Sequence, residues 1–395
     1  MANDWLFELL KGVGFFFLNP IFYFVIFYAV LMGYRRVKRE RSQFHSRVFD
    51  GYQELKTAFT YSLLIGAILS LVTVVTGVTV SPGILVLAGI LFLLLSLTLQ
   101  YQLLSPAYVL GGALVLASFL PVFIQEIPLL GYSIEFNNQL ALSFLVLLGL
   151  LLVVEGFLII KNGNQFTSPL LTQSKRGRTI GVQEIDRLWL LPLILFVPGE
   201  LAAPWEWWPV LPIGQEGFTP IILPIPLGYR RRFQGMLTSE GTKREGKYVL
   251  YLGVMIGAAS FLSLYGMVYS YLVIGAAIIG REAIAWSIRH HDQTKASLYT
   301  ARNQGLVVIG IHPLSPAEKM GVQVGETITR INGESIRTPD EFYYHLQKNR
   351  SYCKLEILNF EGEIRFAQRA LYEGEHHELG LLFVDDVSEQ QKAVV

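Results

Sequence analysis

Few residues in this sequence have the types and spacing that catalysis needs. A zinc protease inside a membrane uses two histidines one helical turn apart with a glutamate base, in the order His-Glu-x-x-His. The nearest sequence is Arg281-Glu-Ala-Ile-Ala-Trp, which has the glutamate but no histidine on either side. His290 and His291 are adjacent, so they point in different directions on a helix. The sequence therefore predicts no metal site of this kind.

Other nucleophiles are equally scarce. A serine protease inside the membrane needs a Gly-x-Ser-x-Gly or similar turn together with a membrane histidine, and every histidine lies outside the apolar runs. Cys353 is the only cysteine, which excludes an internal disulfide and a cysteine-built zinc site. We expect it to be a small apolar strand residue. We predict that the chain is not an enzyme and carries no cofactor and no catalytic residue.

Glu155 is the most prominent charge within an apolar run. Carboxylates at membrane depth are functional candidates by default, because burying them in lipid is costly. Glu155 lies about one and a half helical turns from Lys161, so an interface residue or a helix-packing contact is the other interpretation. Glu200 and Glu282 have the same two interpretations.

The composition indicates a membrane protein. The chain has 395 residues, of which 52% are hydrophobic and 16% are charged, and its mean hydropathy is +0.43. Soluble domains carry about 25% charged residues. Apolar runs of about 17 to 25 residues, the length that spans a bilayer, recur over the first three quarters. The net charge of +1 gives no field that would favour nucleic acid.

These runs predict a polytopic helical domain with about eight to nine spans. The first run is interrupted by Asn19-Pro20 and is expected to be a retained helix rather than a cleaved signal. Its N-terminus would face outward, unless Pro20 folds the segment back as a re-entrant pair. Proline-glycine turns favour helical hairpins, and we expect the last pair to turn near Tyr265-Gly266. The apolar segments are residues 5–31, 61–80, 84–101, 106–124, 140–160, 188–227 and 248–286.

Segment 188–227 is apolar but holds eight prolines. We expect two short spans around Trp205-Glu-Trp-Trp, whose tryptophans suit an outer membrane interface. A re-entrant segment is the alternative. Helix breaks at Pro192 and Pro198 could also form the discontinuous site of a small-molecule transporter, although no clear inverted repeat is present.

Lysine and arginine are clustered between the apolar runs, at residues 34–41, 161–187, 230–247 and 281–291. Basic loops beside spanning helices mark the cytoplasmic side, whereas segment 125–139 has glutamates but no lysine or arginine and is placed outside. The clusters have a second interpretation, attraction to anionic lipid, which adds about 1 kcal/mol per residue. Either way, the C-terminal part of the chain would be cytoplasmic and close to the lipid bilayer.

The last quarter has the pattern of a small α+β domain. Strand-like alternation occurs at residues 306–311, 326–331, 352–358, 363–371 and 379–384. Ser315 and Thr338 are placed to cap helices that begin with Pro316 and Pro339, and Asn332-Gly333 favours a tight turn. We predict a polytopic domain at 1–290, a linker at 291–303, this domain at 304–385 and a tail at 386–395. The fold class is an all-α membrane domain followed by a small α+β domain.

Three motifs in this domain resemble the PDZ family: Ser315-Pro-Ala, Gly321-x-x-x-Gly-Glu-x-Ile and Ile331-Asn-Gly. The order of elements is that of a circularly permuted PDZ domain, and Glu378-Leu-Gly-Leu resembles its carboxylate-binding loop. The resemblance implies a groove that adds a peptide as an extra strand. The residues it implies for peptide binding are Leu379, Gly380, Leu381 and Leu382 on the loop and strand, and Phe342, Tyr343 and Leu346 on the helix.

Glu378 departs from the family, which has glycine there, and Glu375 is close by. Acidic residues oppose a carboxylate ligand, so an internal extended segment is an alternative ligand to a free chain terminus. A domain that packs on the membrane part and binds nothing is a further alternative, as is a PDZ-containing intramembrane protease or its regulator. The C-terminal residues 388–395 could themselves occupy such a groove, although a disordered terminus is the simpler expectation.

The whole chain resembles the MinJ family of division-site topology proteins. The segments Phe17-Leu-Asn-Pro-Ile-Phe-Tyr and Tyr34-Arg-Arg-Val-Lys-Arg-Glu-Arg carry this resemblance together with the helices and the PDZ-like end. It implies an adaptor that connects the coiled-coil scaffold DivIVA to the Min inhibitor, MinC and MinD, with contacts to other division proteins. It also implies a multi-pass protein concentrated at septa and poles.

Overall fold

The structure is a computed structural model, and it describes residues 2–120, 137–174, 177–201, 208–209, 217–301, 304–349, 351–372 and 379–384. The predicted outside loop at 125–139 and the tail at 386–395 lie almost wholly outside these residues. Of the tryptophan cluster, Trp208 alone is described.

Helices make up most of the first 300 residues. The Asn19-Pro20 break separates two helices, because the Asn19 side chain accepts a hydrogen bond from the Ile21 N–H and Pro20 begins the second helix. The first of them lies along a strand of the sheet described below. The helices are α1 (Ala2–Leu18), α2 (Pro20–Phe44), α3 (Gln53–Thr60), α4 (Ser62–Thr76), α5 (Pro82–Leu97), α6 (Pro106–Phe119), α7 (Asn138–Asn162), α8 (Thr238–Ala259) and α9 (Met267–Thr294).

Five helical stretches among the described residues are long and apolar enough to cross a membrane. They are Pro20–Phe44, Gln53–Thr76, Asn138–Asn162, Thr238–Tyr265 and Met267–Thr294. Two further apolar helices, α5 and α6, are shorter. The described residues thus hold fewer full-length spans than the eight to nine expected. The last two stretches meet at Gly266, whose φ of 146° is accessible to glycine, so the turn predicted near Tyr265-Gly266 is confirmed.

The described residues of segment 188–227 correct the sequence interpretation, because residues 188–201 and 218–227 lie in two long strands rather than in two short helical spans. The sheet consists of β1 (Ser168–Gln173), β2 (Thr179–Leu201) and β3 (Phe218–Phe233), in that order and antiparallel. Proline cannot continue a helix but is tolerated on a strand side that needs no ladder bond. Beyond Glu184, β3 is the one described strand that pairs with β2, which also forms an isolated bridge between Phe196 and Thr79; Pro192 lies opposite Pro224.

The backbone groups on the side of β2 that faces away from β3 form hydrogen bonds with side chains of helix α4. The Ser70 hydroxyl donates to the Pro192 carbonyl at 3.1 Å and accepts from the Ile194 N–H at 3.1 Å. The Thr73 hydroxyl donates to the Ile194 carbonyl at 2.6 Å. Backbone groups in an apolar layer must find partners within the protein. These two hydroxyls therefore explain how a strand edge can lie among apolar helices.

A buried ion cluster joins helices α7, α8 and α9. The guanidinium group of Arg281 contacts Glu155 at 3.0 Å and Glu245 at 3.1 Å, and Arg231 contacts Glu245 at 2.7 Å. Ser105 donates to the second oxygen of Glu155 at 2.6 Å. Glu155 is therefore a fully buried helix-packing contact rather than a residue at the membrane interface. Glu282 accepts from the Tyr108 hydroxyl, whereas Glu200 is exposed.

The C-terminal part has the predicted α+β elements. They are β4 (Leu306–Ile311), α10 (Pro316–Lys319), β5 (Thr327–Ile331), β6 (Glu334–Ser335), α11 (Pro339–Lys348), β7 (Tyr352–Leu358), β8 (Ile364–Ala370) and β9 (Leu381–Phe383). The sheet order is β8-β7-β5-β4-β9, with β6 paired to β5. The last strand in sequence therefore lies beside the first strand of the domain. This is the order that circular permutation predicts.

Candidate peptide-binding site

Strand β9 forms one edge of the C-terminal sheet. The Gly380 carbonyl accepts from the His312 N–H at 2.8 Å, and the Val384 N–H donates to the Val307 carbonyl at 3.1 Å. Along an antiparallel strand the backbone groups point alternately to the two sides. The N–H and C=O groups of Leu381 and Phe383 therefore face away from β4. Within the described residues no further strand pairs with this side, so it can add an extended peptide.

The loop before β9 is held tightly in place. Gly380 has a φ of 78°, and a Cβ at this position would lie 2.4 Å from the Cβ of Ser315. The Leu379 carbonyl accepts from the Ala317 N–H at 3.1 Å. Ser315 in turn caps α10 by accepting from the Glu318 N–H. Glycine is thus required at position 380 by both backbone conformation and space.

Helix α11 lies beside the strand. Its start is fixed by a capping box, in which the Thr338 side chain and the Glu341 side chain each accept from the other residue's N–H. Phe342 is fully buried, and its ring centroid lies 5.1 Å from that of Phe383. Leu346 is also fully buried in the same core. These two residues position the helix against β9 from behind the groove.

Tyr343 lies closer to the free edge. Its hydroxyl is 3.5 Å from the Leu381 carbonyl, at the outer limit of a hydrogen bond. The Leu381 carbonyl is one of the groups that an added strand would use. A peptide on this edge would therefore meet the Tyr343 side chain and displace this weak contact.

The structure brings together Leu379, Gly380, Leu381 and Tyr343 from the predicted set. The side chains of Phe342 and Leu346 lie in the core of the domain, as do those of Leu379 and Leu381, which therefore offer their backbone groups to a ligand. The Leu382 side chain points to the opposite face of the sheet, because successive strand residues alternate. Glu375 and Glu378 lie outside the described residues.

The opposite face of β9 is packed on the membrane part of the chain. The sequence offered such packing only as an alternative and did not indicate which residues make the contact. Leu382 and Val384 share an apolar cluster with Val48, Tyr299 and Ile309. Val48 follows helix α2, so the cluster joins residues from both ends of the sequence. The linker predicted at 291–303 begins inside α9, and its Tyr299 is buried.

Hydrogen bonds complete this contact. The Gly181 N–H donates to the Tyr299 carbonyl at 2.7 Å, and the Gln183 amide donates to the Ile309 carbonyl at 2.5 Å. Ser46 lies 3.2 Å from a ring nitrogen of His312. A signal was present in the sequence, since Ile180 and Val182 alternate in the manner of a strand, but it was too short to indicate a partner.

One ion pair stabilises the domain away from the groove. Arg365 contacts both oxygens of Glu326, at 2.8 and 2.6 Å, and also donates to the Gly321 carbonyl at 2.8 Å. The hydrogen bond to Glu326 raises the pKa of Arg365. Cys353 is buried in the core, and burial raises the pKa of its thiol to about 12. Cys353 therefore remains a protonated packing residue at neutral pH.

Comparison with known proteins agrees with this geometry. A family model described as PDZ domain matches residues 307–359, from β4 to the end of β7. The cell division topological determinant MinJ of Bacillus subtilis (strain 168) is 36% identical over 397 aligned residues, which cover 99% of this chain and 98% of the relative.

The chain belongs to the MinJ family of cell-division topological determinants. A probable MinJ from Lacticaseibacillus paracasei is 27% identical and covers 92% of this chain and 96% of the relative. The PDZ domain of an SdrC-like protein from Listeria monocytogenes, known from a crystal structure, is 19% identical. It matches 22% of this chain and 94% of that chain, with a TM-score of 0.19. The MinJ relatives, in contrast, match both the helical part and the PDZ domain.

Proposed function

We propose that this MinJ-family chain is a non-enzymatic membrane adaptor. It links a coiled-coil scaffold of the DivIVA type, located at poles and septa, to the division inhibitor MinC and MinD. Its membership of a family of cell-division topological determinants supports this role. The protein would thereby keep new division sites away from poles and completed septa.

The observation that carries the proposal is the free edge of β9 on a domain that is joined to several helices of membrane-spanning length. An adaptor needs a membrane anchor and a surface that recognises another chain. The edge supplies backbone groups at Leu381 and Phe383 that pair with no other described strand, and Tyr343 lies beside it. Its ligand is an extended segment, either a chain terminus or an internal stretch.

The proposal includes an orientation. The basic segments and the PDZ domain face the cytoplasm, because lysine and arginine beside spanning helices mark that side. Residues 1–290 form the anchor and residues 304–385 the PDZ domain. A scaffold and an inhibitor in the cytoplasm could then reach the β9 edge.

Localisation in cells tests the proposal. A fluorescent fusion of the full chain should concentrate at septa and poles when the scaffold gene is present and spread over the membrane when it is deleted. Membrane integration, measured by fractionation, should be equal in the two strains. A uniform distribution in both strains would contradict the adaptor role.

A substitution at Gly380 tests the site itself. Gly380→Ala places a methyl group against Ser315, so the loop must shift and the β9 edge must move with it. We expect binding of the purified scaffold or of MinD to full-length protein in detergent to weaken about tenfold or more, from the cost of strain of about 1–3 kcal/mol. Pull-down with each purified partner measures the effect.

Gly333→Ala is the matched control. Gly333 also has a positive φ, 92°, but a Cβ there meets no atom within 4 Å. It should bear a similar conformational cost and leave partner binding unchanged. If Gly380→Ala protein is folded and binds both partners as well as the control does, the groove is assigned to the wrong edge.

A further inference from the structure

A polar cavity of about 450 Å³ lies between β3 and the last turns of α9, beside the segment that follows α5. Four arginines line it: Arg230, Arg231, Arg232 and Arg289. Glutamines from three segments complete the wall, among them Gln100 and Gln293. A cavity lined by guanidinium and amide groups offers many hydrogen-bond donors.

The arginines differ in how they are already used. Arg231 points inward and is paired with Glu245, at 5% exposure of its side chain. Arg230 is held by Glu184, by Asp186 and by the Leu99 carbonyl. These two residues therefore shape the cavity and have little capacity to bind anything else.

Arg232 and Arg289 are available to a ligand. Arg232 uses its Nε to contact Glu184 at 2.7 Å, and its side chain remains 54% exposed. Arg289 is exposed, and among the described residues it forms no ion pair. Each guanidinium therefore keeps a pair of N–H groups that could bind two oxygens of one phosphate.

Two acidic residues nearby, Glu184 and Asp292, differ in how far their charge is balanced. Glu184 contacts Arg39, Arg230 and Arg232. Burial alone would raise its pKa, but the three cations outweigh burial and hold the pKa at about 2. Asp292 also lines the cavity and accepts hydrogen bonds from the Gln234 and Gly235 N–H groups, which carry no charge that would balance a carboxylate. Four arginines and this one carboxylate are the described charged residues that line the cavity, so its lining has a positive net charge for an incoming anion.

The cavity lies at the depth where the apolar surface ends. Leu97, three residues before Gln100 at the end of α5, is 72% exposed, and Trp286, one helical turn before Arg289, is 61% exposed. Exposed leucine suits the acyl chains of a bilayer, and tryptophan is enriched at its interface. Phospholipid headgroups occupy the layer just beyond, which is where the four arginines are found.

We propose that this cavity binds the phosphate of an anionic phospholipid headgroup. Arg232 and Arg289 hold the phosphate oxygens, and the glutamine amides bind the polar remainder of the headgroup. The acyl chains of this lipid stay in the bilayer, where they contact the exposed apolar side chains of Leu97 and Trp286 next to the cavity. The site is separate from the β9 edge and does not depend on the partner that binds there.

Lipid binding to the purified full-length protein tests the proposal. Native mass spectrometry in detergent compares phosphatidylglycerol, phosphatidylcholine and inorganic phosphate at equal concentrations. We expect phosphatidylglycerol to bind in preference to both of the others. Arg232→Gln with Arg289→Gln should weaken it roughly thirtyfold, since each basic residue near the surface contributes about 1 kcal/mol.

A double variant with the same change in charge is the control. Lys243→Gln with Arg244→Gln removes two exposed basic residues outside the cavity and should leave binding unchanged.

The single variant Arg289→Gln breaks no described ion pair, so it tests the site without disturbing Glu184 and should weaken binding roughly fivefold. Equal binding by the wild type and the cavity variants, or equal losses in the cavity and control variants, would overturn the site. Full occupancy by inorganic phosphate would overturn the assignment to lipid.

Discussion

Arg281 contacts two carboxylates in the interior of the helical part. Buried charges are costly unless they are paired. Glu155 and Glu245 both contact it, and Arg231 balances the second of them. Two cations and two anions give a neutral cluster, which is the arrangement that makes buried charge tolerable. The sequence singled out Glu155 from its apolar surroundings. It could not indicate Arg281, because the two residues are 126 positions apart and only the packing of α7 and α9 brings them together.

The cluster predicts a large effect of removing its centre. Arg281→Gln leaves Glu155 and Glu245 without their shared cation, which should destabilise the fold by about 3–5 kcal/mol. Thermal unfolding of full-length protein in detergent, followed by intrinsic fluorescence, measures the loss. Arg244→Gln removes an exposed charge from α8 and should change stability little. A melting temperature of Arg281→Gln equal to that of this control would show that the cluster contributes nothing.

Helices α7 and α8 approach so closely that glycines form their contact. A Cβ at Gly156 would lie 2.5 Å from the backbone nitrogen of Leu250 and 2.6 Å from the Gly246 carbonyl oxygen. A Cβ at Gly253 would similarly lie 2.5 Å from the Val153 nitrogen. Small residues at such contacts let helix backbones pack directly, which is the main source of attraction between helices in lipid.

Gly156→Ala should therefore separate the two helices and destabilise the membrane part by about 1–3 kcal/mol, the usual cost of overpacking. Gly275→Ala is the control, because a Cβ at Gly275 meets no atom within 4 Å. Alanine there should be neutral or stabilise α9 by up to about 1 kcal/mol. Both effects can be read from thermal unfolding in the same detergent. Equal melting temperatures for the two variants would contradict close packing at Gly156.

Elements with local signals could be predicted, and those that depend on distant partners could not. Asn19-Pro20, Gly266 and Thr338 each fix a helix end through their own backbone or side chain. The PDZ motifs likewise indicated both the domain and its permuted order. The prediction of helical spans in segment 188–227 was wrong because an apolar run has the same hydropathy in a helix and in a buried strand. Its strand form depends on Ser70 and Thr73, more than a hundred residues earlier.

The candidate site stays a prediction. The resemblance to PDZ domains implied Gly380, Leu381 and Tyr343, and these three residues lie together at the β9 edge. Leu382 points away from the groove because strand residues alternate, but the cover over its face, which includes Val48 and Tyr299, comes from distant parts of the chain. A single sequence does not reveal which side of an edge strand is covered by another part of the chain.

At the scale of the whole molecule, the PDZ domain is docked rather than tethered. Gly181, Gln183 and Ser46 contact Tyr299, Ile309 and His312 in turn, and an apolar cluster lies among them. A long flexible linker would let the domain explore a large volume above the membrane. Here the β9 edge has one position and one direction relative to the helices.

This docking has a geometric consequence for any partner. A partner segment bound along β9 would lie at a fixed distance and angle relative to the helices. The rest of the partner chain would have to reach from there to the place where the partner assembles. If copies of the protein gather at a septum, as proposed, they would present their β9 edges as an array in one plane. A multivalent scaffold could engage several edges at once and gain avidity without a tighter single contact.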